Sequence, residues 1–258
     1  LRVALVKDMA MGIDTRFSQN KVDDARTFIN KVWNASKFIA MHEEGEKLLD
    51  VSSIKLDDVQ KWILFKLDEI TKVVQKNIDK FDVGVALSNI VNFTLGVFCD
   101  WAIELSKPAI FEGGESKQKM VSVLAYAFEQ VLKLLHPFIP FVTEYIYDRM
   151  ELPTKVESIM ISEYADTSAF KKYKNDAEKI EELINLVTSL RKFKLDSGKK
   201  SSDKVRFAVN SNTFIEEHKA IIEKMANVEL EIGSVEAGKT LVTTVGEFVL
   251  IEEKVDAE

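Results

Sequence analysis

Five residues of types that contact nucleic acids recur at helical spacing between Lys21 and His42. They are Arg26, Asn30, Trp33, Asn34 and Lys37. On a helix they form one stripe, because residues three and four apart share a face. Cations attract phosphate, amides can hydrogen-bond to base edges, and an indole can stack on an unpaired base. The stripe therefore predicts a surface for single-stranded nucleic acid.

The same stripe has a purely structural alternative. Trp33 borders the apolar side of the predicted helix, so it could pack under a neighbouring helix while the charged groups are merely solvated. The loop before the helix, IDTRFSQN, adds Arg16 and Phe17 as second candidates for contact with nucleic acid.

The helix that must carry this stripe is predicted from its apolar spacing. We expect Asn20 to cap its first turn, where Asp23 and Asp24 suit the positive end of the helix dipole. The face predicted to meet the core contains Val22, Ala25, Phe28, Ile29, Val32, Ser36 and Ile39.

The charge distribution places two basic zones on an acidic chain. The 258 residues carry a net charge of −7. Residues 1–40, however, hold seven cationic against four acidic side chains, and residues 191–206 hold seven against two. Such zones favour local docking of a polyanion. Within the second zone we expect a solvated loop or, as the alternative, contacts with an RNA backbone from Arg191, Lys192, Lys199 and Lys200.

Signatures of other functions were sought and are missing from the sequence. The basic loop around Gly198 lacks the glycine five residues earlier that a phosphate-binding loop needs, because that position is Phe193. One cysteine, Cys99, and three separated histidines make a zinc site improbable, and the lone thiol suits a reducing cytoplasm. Paired carboxylates fall on predicted helix surfaces or caps. We found no signal peptide and no run of about 18 apolar residues, so we expect no membrane span.

The order of elements predicts a mainly α protein: an antiparallel helical bundle over 1–152, then a small α+β domain over 153–258, with the boundary near 152–157. A first helix should close near Gly12, and Pro108 should stop the third long one. Gly84 and Gly96 within that third helix indicate close approach by a neighbouring helix. Helices of the bundle are predicted over Lys21–His42, Leu56–Asp79, Val83–Lys107, Lys117–Leu135 and from Pro140 to near Met150. The second domain is predicted to hold helices Asn175–Leu195 and Thr213–Met225, with strands Ser158–Tyr164, Lys204–Val209, Val228–Ile232, Lys239–Thr244 and Glu247–Ile251. The last residues, EEKVDAE, should fray.

Three runs in order resemble the anticodon-binding helical domain of class I aminoacyl-tRNA synthetases. They are NKVWNASKF (Asn30–Phe38), FCDWAIELSK (Phe98–Lys107) and HPFIPFVTEYIY (His136–Tyr147). The middle run is similar to the valine-specific version, although Ala102 stands where that family often has an aromatic residue. In the third run we expect a scaffold, whose prolines set the turn and whose aromatic rings fill the end of the bundle.

The resemblance implies a tRNA partner and a function in tRNA aminoacylation, with the asparagines of the stripe near the positions where related synthetases recognise anticodon bases. The HIGH-type and KMSKS-type sequences of the class are absent, and the chain begins at Leu1. We therefore expect a C-terminal part of a longer enzyme, without its catalytic domain. No cofactor is expected here, whereas the complete enzyme would use ATP and Mg²⁺. We expect a cytoplasmic monomer. The alternatives are a leucyl or isoleucyl enzyme, or an acidic helical scaffold that binds proteins.

Overall fold

The computed structural model describes residues 1–9, 12, 14, 16–153, 155–233 and 238–251. The chain divides into two compact units between Ala177 and Glu178. The first unit is helical, and the second combines helices with a sheet, which confirms the predicted fold class. The predicted fraying of EEKVDAE lies outside the described residues.

The first unit is built from helices joined mostly by short connections. They are α1 (Arg2–Val6), α2 (Gln19–Glu43), α3 (Asp58–Asp79), α4 (Val83–Asn92), α5 (Ile103–Glu112), α6 (Gly114–Leu135) and α7 (Pro140–Arg149). A capping box at Asp57 and Gln60 fixes the start of α3, since each side chain bonds to the other residue's backbone N–H. The first helix ends at Val6 rather than near Gly12, because the chain turns at Asp8, whose φ is positive at 61°.

The third long helix runs unbroken through Val83–Glu112, with a π-helical segment, Phe93–Ala102, between α4 and α5. The prediction that Pro108 stops it is wrong. Proline normally breaks a helix interior because it lacks an N–H and crowds the preceding turn. Here Leu105 and Ile110 are buried on either side of it and α5 packs along α6, so packing keeps the chain helical for four more residues, to Glu112.

This long helix is long and apolar enough to cross a membrane by length and composition alone. It is the one helix of that kind among the residues that the structure describes. Its α4 and π-helical parts pack against α3, and α4 also contacts α6. Core helices of bundles share this composition, and these contacts bury part of the apolar surface of the helix.

The first unit runs to Ala177, which is 20–25 residues beyond the boundary expected near 152–157. Two short 3₁₀ segments, Ile159–Ile161 and Ser168–Tyr173, occupy this stretch, so the strand predicted over Ser158–Tyr164 is wrong. Phe170 is buried edge-on against Tyr126, with ring centroids 5.7 Å apart, and Lys61 bonds to Asp176 at 2.6 Å. These contacts tie the segment to the bundle.

The second unit contains α8 (Lys174–Asp196) from Glu178 onward, α9 (Thr213–Ala226) and a four-stranded sheet. The strands are β1 (Val205–Val209), β2 (Val228–Ile232), β3 (Lys239–Val242) and β4 (Glu247–Ile251), in the order β2-β1-β4-β3. β1 is parallel to β2 and antiparallel to β4, so Phe207 lies between Leu230 and Leu250. Phe207 is buried and faces Phe193 of α8.

Candidate nucleic-acid interface

α2 positions the predicted stripe, and its inner face is largely the predicted one. Its buried side chains are Ala25, Phe28, Val32, Ala35, Ile39 and Glu43, whereas Val22, Ile29 and Ser36 are half-buried. The helix begins at Gln19 with Ser18 as its N-cap residue, so Asn20 lies inside the first turn and does not cap it. The backbone thus enters the helix two residues earlier than the pattern predicted.

The stripe faces outward. Arg26, Asn30, Asn34 and Lys37 are exposed, and Trp33 is half-buried. The structure therefore brings these five residues together on one accessible face, as predicted from their spacing. Phe17 is also exposed, at 60 %. It precedes the helix, and Trp33 lies about 21 Å further along the axis from the start of α2, at 1.5 Å per residue. Arg16 and Phe17 are therefore remote from Trp33.

Trp33 is joined by two residues from α7 that the sequence analysis missed. The Trp33 and Tyr145 ring centroids are 5.4 Å apart, with the planes inclined by 36°. The Arg149 guanidinium lies 3.4 Å from the Tyr145 ring centroid, and the Lys37 ammonium lies 5.9 Å from the Trp33 centroid. We call these four side chains, Lys37, Trp33, Tyr145 and Arg149, the aromatic–cation cluster. It presents two rings flanked by two positive charges.

The local sequence of α7 explains why Tyr145 points outward. Pro140 occupies the first turn, where its missing N–H costs nothing, and Thr143, Ile146 and Tyr147 form the buried face. Positions four apart then share the opposite face: Phe141 is 89 % exposed and Tyr145 46 % exposed. The expectation that the aromatic residues of this run fill the end of the bundle is therefore right for Phe138 and Tyr147, which are buried, and wrong for Phe141 and Tyr145. An i, i+4 spacing of aromatic residues ending in Arg149 was the signal that could have revealed them.

A pocket of about 180 Å³ opens beside the cluster, between α2 and α7. Its wall includes all four members of the aromatic–cation cluster, together with Glu43, Phe128 and Met150. The aromatic and aliphatic lining suits a planar ring, and the exposed side chains of Lys37 and Arg149 make the surroundings positive. The arrangement can therefore accept a base while its phosphate stays at the surface.

A larger cavity, of about 330 Å³, lies between α1, α2 and the long third helix. Its lining is mainly apolar, and Lys7, Lys21 and Lys31 contribute to its wall. None of the predicted site residues lines it, so it lies apart from the stripe.

The basic zone of the second unit is only partly available for contact. Lys192, Lys199 and Lys200 are exposed. The Arg191 guanidinium donates two hydrogen bonds, of 2.9 and 2.7 Å, to the carbonyl of Met225, at the end of α9. Lys194 is 2 % exposed and serves the fold. The RNA-backbone contacts predicted for this zone stay a prediction, and Arg191 has a structural role besides.

Other chemistry finds little support in the structure. Within the described ranges no three metal-binding side chains come together. Burial raises the pKa of the Cys99 thiol to about 11, with the nearby Asp100 charge acting in the same direction. At neutral pH this thiol is protonated and therefore a poor nucleophile.

The comparisons with known proteins identify the family, and the region matched by the family model begins after α2. The family model described as the anticodon-binding domain of tRNA ligase matches residues 60–209, which run from α3 to β1. The chain belongs to this family.

Among its relatives are valine–tRNA ligases. The one from Bacillus cereus is 31 % identical over 97 % of this chain, the one from Enterococcus faecalis 34 % over 89 %, and the one from Clostridium tetani 33 % over 88 %. The matched regions are 30 %, 27 % and 26 % of those proteins, so the chain spans less than a third of the relatives it matches.

Proposed function

We propose that this chain is the anticodon-binding part of a valine–tRNA ligase and that it recognises the anticodon stem-loop of valine-specific tRNA. The observation that carries the proposal is the exposed stripe of α2 beside the aromatic–cation cluster. Unpaired loop bases are read by stacking and by hydrogen bonds to their edges, and this face offers groups for both.

Each member of the stripe has a role in the proposal. Trp33, with Tyr145, stacks on a base, and Arg26 and Lys37 contact phosphates or bases. Asn30 and Asn34 hydrogen-bond to base edges, because an amide offers a donor and an acceptor together. Lys192, Lys199 and Lys200 contact the tRNA backbone more weakly, as a salt-dependent attraction.

The complete enzyme, in this proposal, activates valine with ATP and Mg²⁺ and transfers it to tRNA in the cytoplasm, as a monomer. Those catalytic steps belong to the part of the relatives that this chain does not cover. The bundle would hold the anticodon end of the tRNA and so keep its acceptor end in register with the distant catalytic site.

The test is a titration of the chain with a valine-specific anticodon stem-loop and with the same stem-loop carrying a changed middle base. We expect weaker binding to the changed loop. The double variant Asn30→Ala, Asn34→Ala should lose that preference, while Asn20→Ala, an exposed asparagine in the first turn of the same helix, should keep it. Equal affinity of the unaltered chain for both loops would refute base recognition.

A further inference from the structure

Glu43, the last residue of α2, is a buried acidic side chain with an unused hydrogen-bonding atom. It is 5 % exposed and forms part of the pocket beside the aromatic–cation cluster. The backbone N–H of Glu151 hydrogen-bonds to its carboxylate. The other oxygen, Oε2, is buried and has no partner among the described residues. Buried acceptors are nearly always paired in folded proteins, so this one needs a specific explanation.

The charges around the pocket have a definite order from outside to inside. Lys37 and Arg149 are exposed beside the rings of Trp33 and Tyr145, whereas Glu43 is a buried residue of the wall. A cationic ligand would be repelled by the two outer cations before it reached Glu43. A ligand with an anionic outer end and a hydrogen-bond donor at its inner end would complement both the outer cations and Glu43. A nucleotide has this polarity, because its phosphate and its base edge lie at opposite ends.

We infer that the pocket takes one unpaired base of an RNA loop and that Glu43 Oε2 accepts a hydrogen bond from the exocyclic amino group of adenine or cytosine. The inference rests on the proposed function and adds to it the class of base. Uracil and guanine carry an oxygen at the corresponding ring position. That oxygen cannot donate to Oε2, so uracil or guanine placed with this group toward the carboxylate would be repelled.

The energetics of Glu43 agree with a role in binding. Burial raises the pKa of its carboxyl group, which means that the fold opposes the charged form. Natural proteins keep such locally unfavourable groups mainly at functional sites. A base that donates to Oε2 would supply the missing partner and so relieve the penalty when RNA binds.

The experiment uses the 258-residue chain, an RNA hairpin with a valine-specific anticodon loop, and an RNA duplex of the same stem sequence without the loop. Each loop adenosine is replaced in turn by purine riboside and each loop cytidine by uridine, and affinities are measured by fluorescence anisotropy. We expect one position at which loss of the amino group weakens binding about tenfold or more, since a hydrogen bond to a charged group is lost. Glu43→Met should abolish this sensitivity. Glu44→Met, which removes an exposed charge from the next residue, should retain it.

A second, more conservative variant tests the inference in case Glu43→Met does not fold. Glu43→Gln keeps an acceptor oxygen without the charge, and it should show a reduced but measurable preference for the amino group. Circular dichroism establishes that each variant is folded.

The outcomes separate the inference from the function on which it rests. If the hairpin binds more tightly than a duplex but no amino group matters, or if the amino group matters equally in Glu43→Met, the inference is overturned and the proposed function stands. If hairpin and duplex bind alike, the proposed function fails, and the inference fails with it.

Discussion

The indole of Trp33 rests against the ring of Tyr145, although more than one hundred residues separate them in the chain. Lys37 and Arg149 stand beside the two rings, so the pair is a platform with positive ends. Packing between α2 and α7 creates this platform, and neither helix could form it alone. The contact with Tyr145 explains why Trp33, which borders the buried face of α2, remains half-exposed.

Removing one ring should weaken RNA binding. Tyr145→Ala takes away the outer ring and the surface on which Arg149 lies. We expect a loss of about 1–3 kcal/mol in affinity for the anticodon stem-loop, the range for one stacked base. Fluorescence titration measures it. Phe81→Ala, which removes an exposed aromatic side chain between α3 and α4, is the control and should bind like the unaltered chain. Equal losses in both variants would contradict a specific role for Tyr145.

The cations of α2 should appear in the salt dependence of binding. Arg26→Gln removes one exposed positive charge from the stripe. If Arg26 neutralises a phosphate of an unpaired loop, the slope of log K against log salt should become shallower by about 0.7. Affinity measured at several salt concentrations gives the slope. Lys80→Gln, an exposed cation at the end of α3, serves as the comparison, and an unchanged slope for Arg26→Gln would exclude the phosphate contact.

Glu43 makes a prediction about pH that is independent of RNA. Its folded-state pKa is raised by burial and by the Glu151 charge, whereas the hydrogen bond from the Glu151 backbone and the Lys155 charge lower it by less. The folded chain therefore holds this proton at pH values where the unfolded chain has released it, and stability falls as pH rises from about 4.5 through the raised pKa.

Glu43→Gln should consequently raise the melting temperature at pH 7 and leave it nearly unchanged at pH 4. Thermal melts of the variant and the unaltered chain at both pH values measure the difference, so the other titrating groups cancel. Glu44→Gln should show no such pH dependence. A variant that is equally or less stable at pH 7 would contradict the assigned burial effect.

Lys194 should stabilise the second unit. Its ammonium donates to the carbonyls of Asp203 at 2.9 Å, Ser201 at 3.0 Å, and both Ala226 and Asn227 at 3.3 Å. It thereby joins the basic loop after α8 to the end of α9. Lys194→Met removes this donor, although the Asn227 side-chain amide still donates to the carbonyls of Ser201 and Asp203. The variant should therefore destabilise the unit by about 1–3 kcal/mol.

Hydrogen exchange of the amides around residues 199–204 and 226–228 measures this loss. Lys192→Met, two residues earlier and exposed, is the matched variant and should leave their protection unchanged. Full protection in Lys194→Met would show that water replaces the ammonium at little cost.

The sequence was most informative where one helix or strand carries its own signal. The apolar period of α2 predicted which face is outward. β2 and β4 have the predicted bounds, because an alternating pattern in β2, a short apolar run in β4 and the turn residues around them are local signals. Tyr145 and Arg149 were missed because their role depends on a contact with α2 that no local pattern records. The prediction at Pro108 was wrong for a similar reason, because packing of α5 against α6 outweighed the tendency of proline to break a helix.

Gly84 and Gly96, which lie in one helix, also show that a local pattern does not reveal contacts with neighbouring elements. Both suggested close approach by a neighbour, because glycine lowers helix propensity and needs a compensating reason. The reason exists at Gly84, where a Cβ atom would lie 2.2 Å from the Met9 carbonyl oxygen and 2.8 Å from that of Val6. At Gly96 nothing described lies within 4 Å of that position, so there the prediction is wrong.

Alanine at these two positions should therefore have opposite effects on stability. Gly84→Ala forces backbone apart between α1 and α4, and we expect a loss of about 1–3 kcal/mol in spite of its better helix propensity. Gly96→Ala meets open space and should gain up to about 1 kcal/mol from propensity alone. Urea denaturation followed by tryptophan fluorescence reports on this unit, which contains all three tryptophans. A gain at Gly84 would mean that α1 does not pack against this helix in solution.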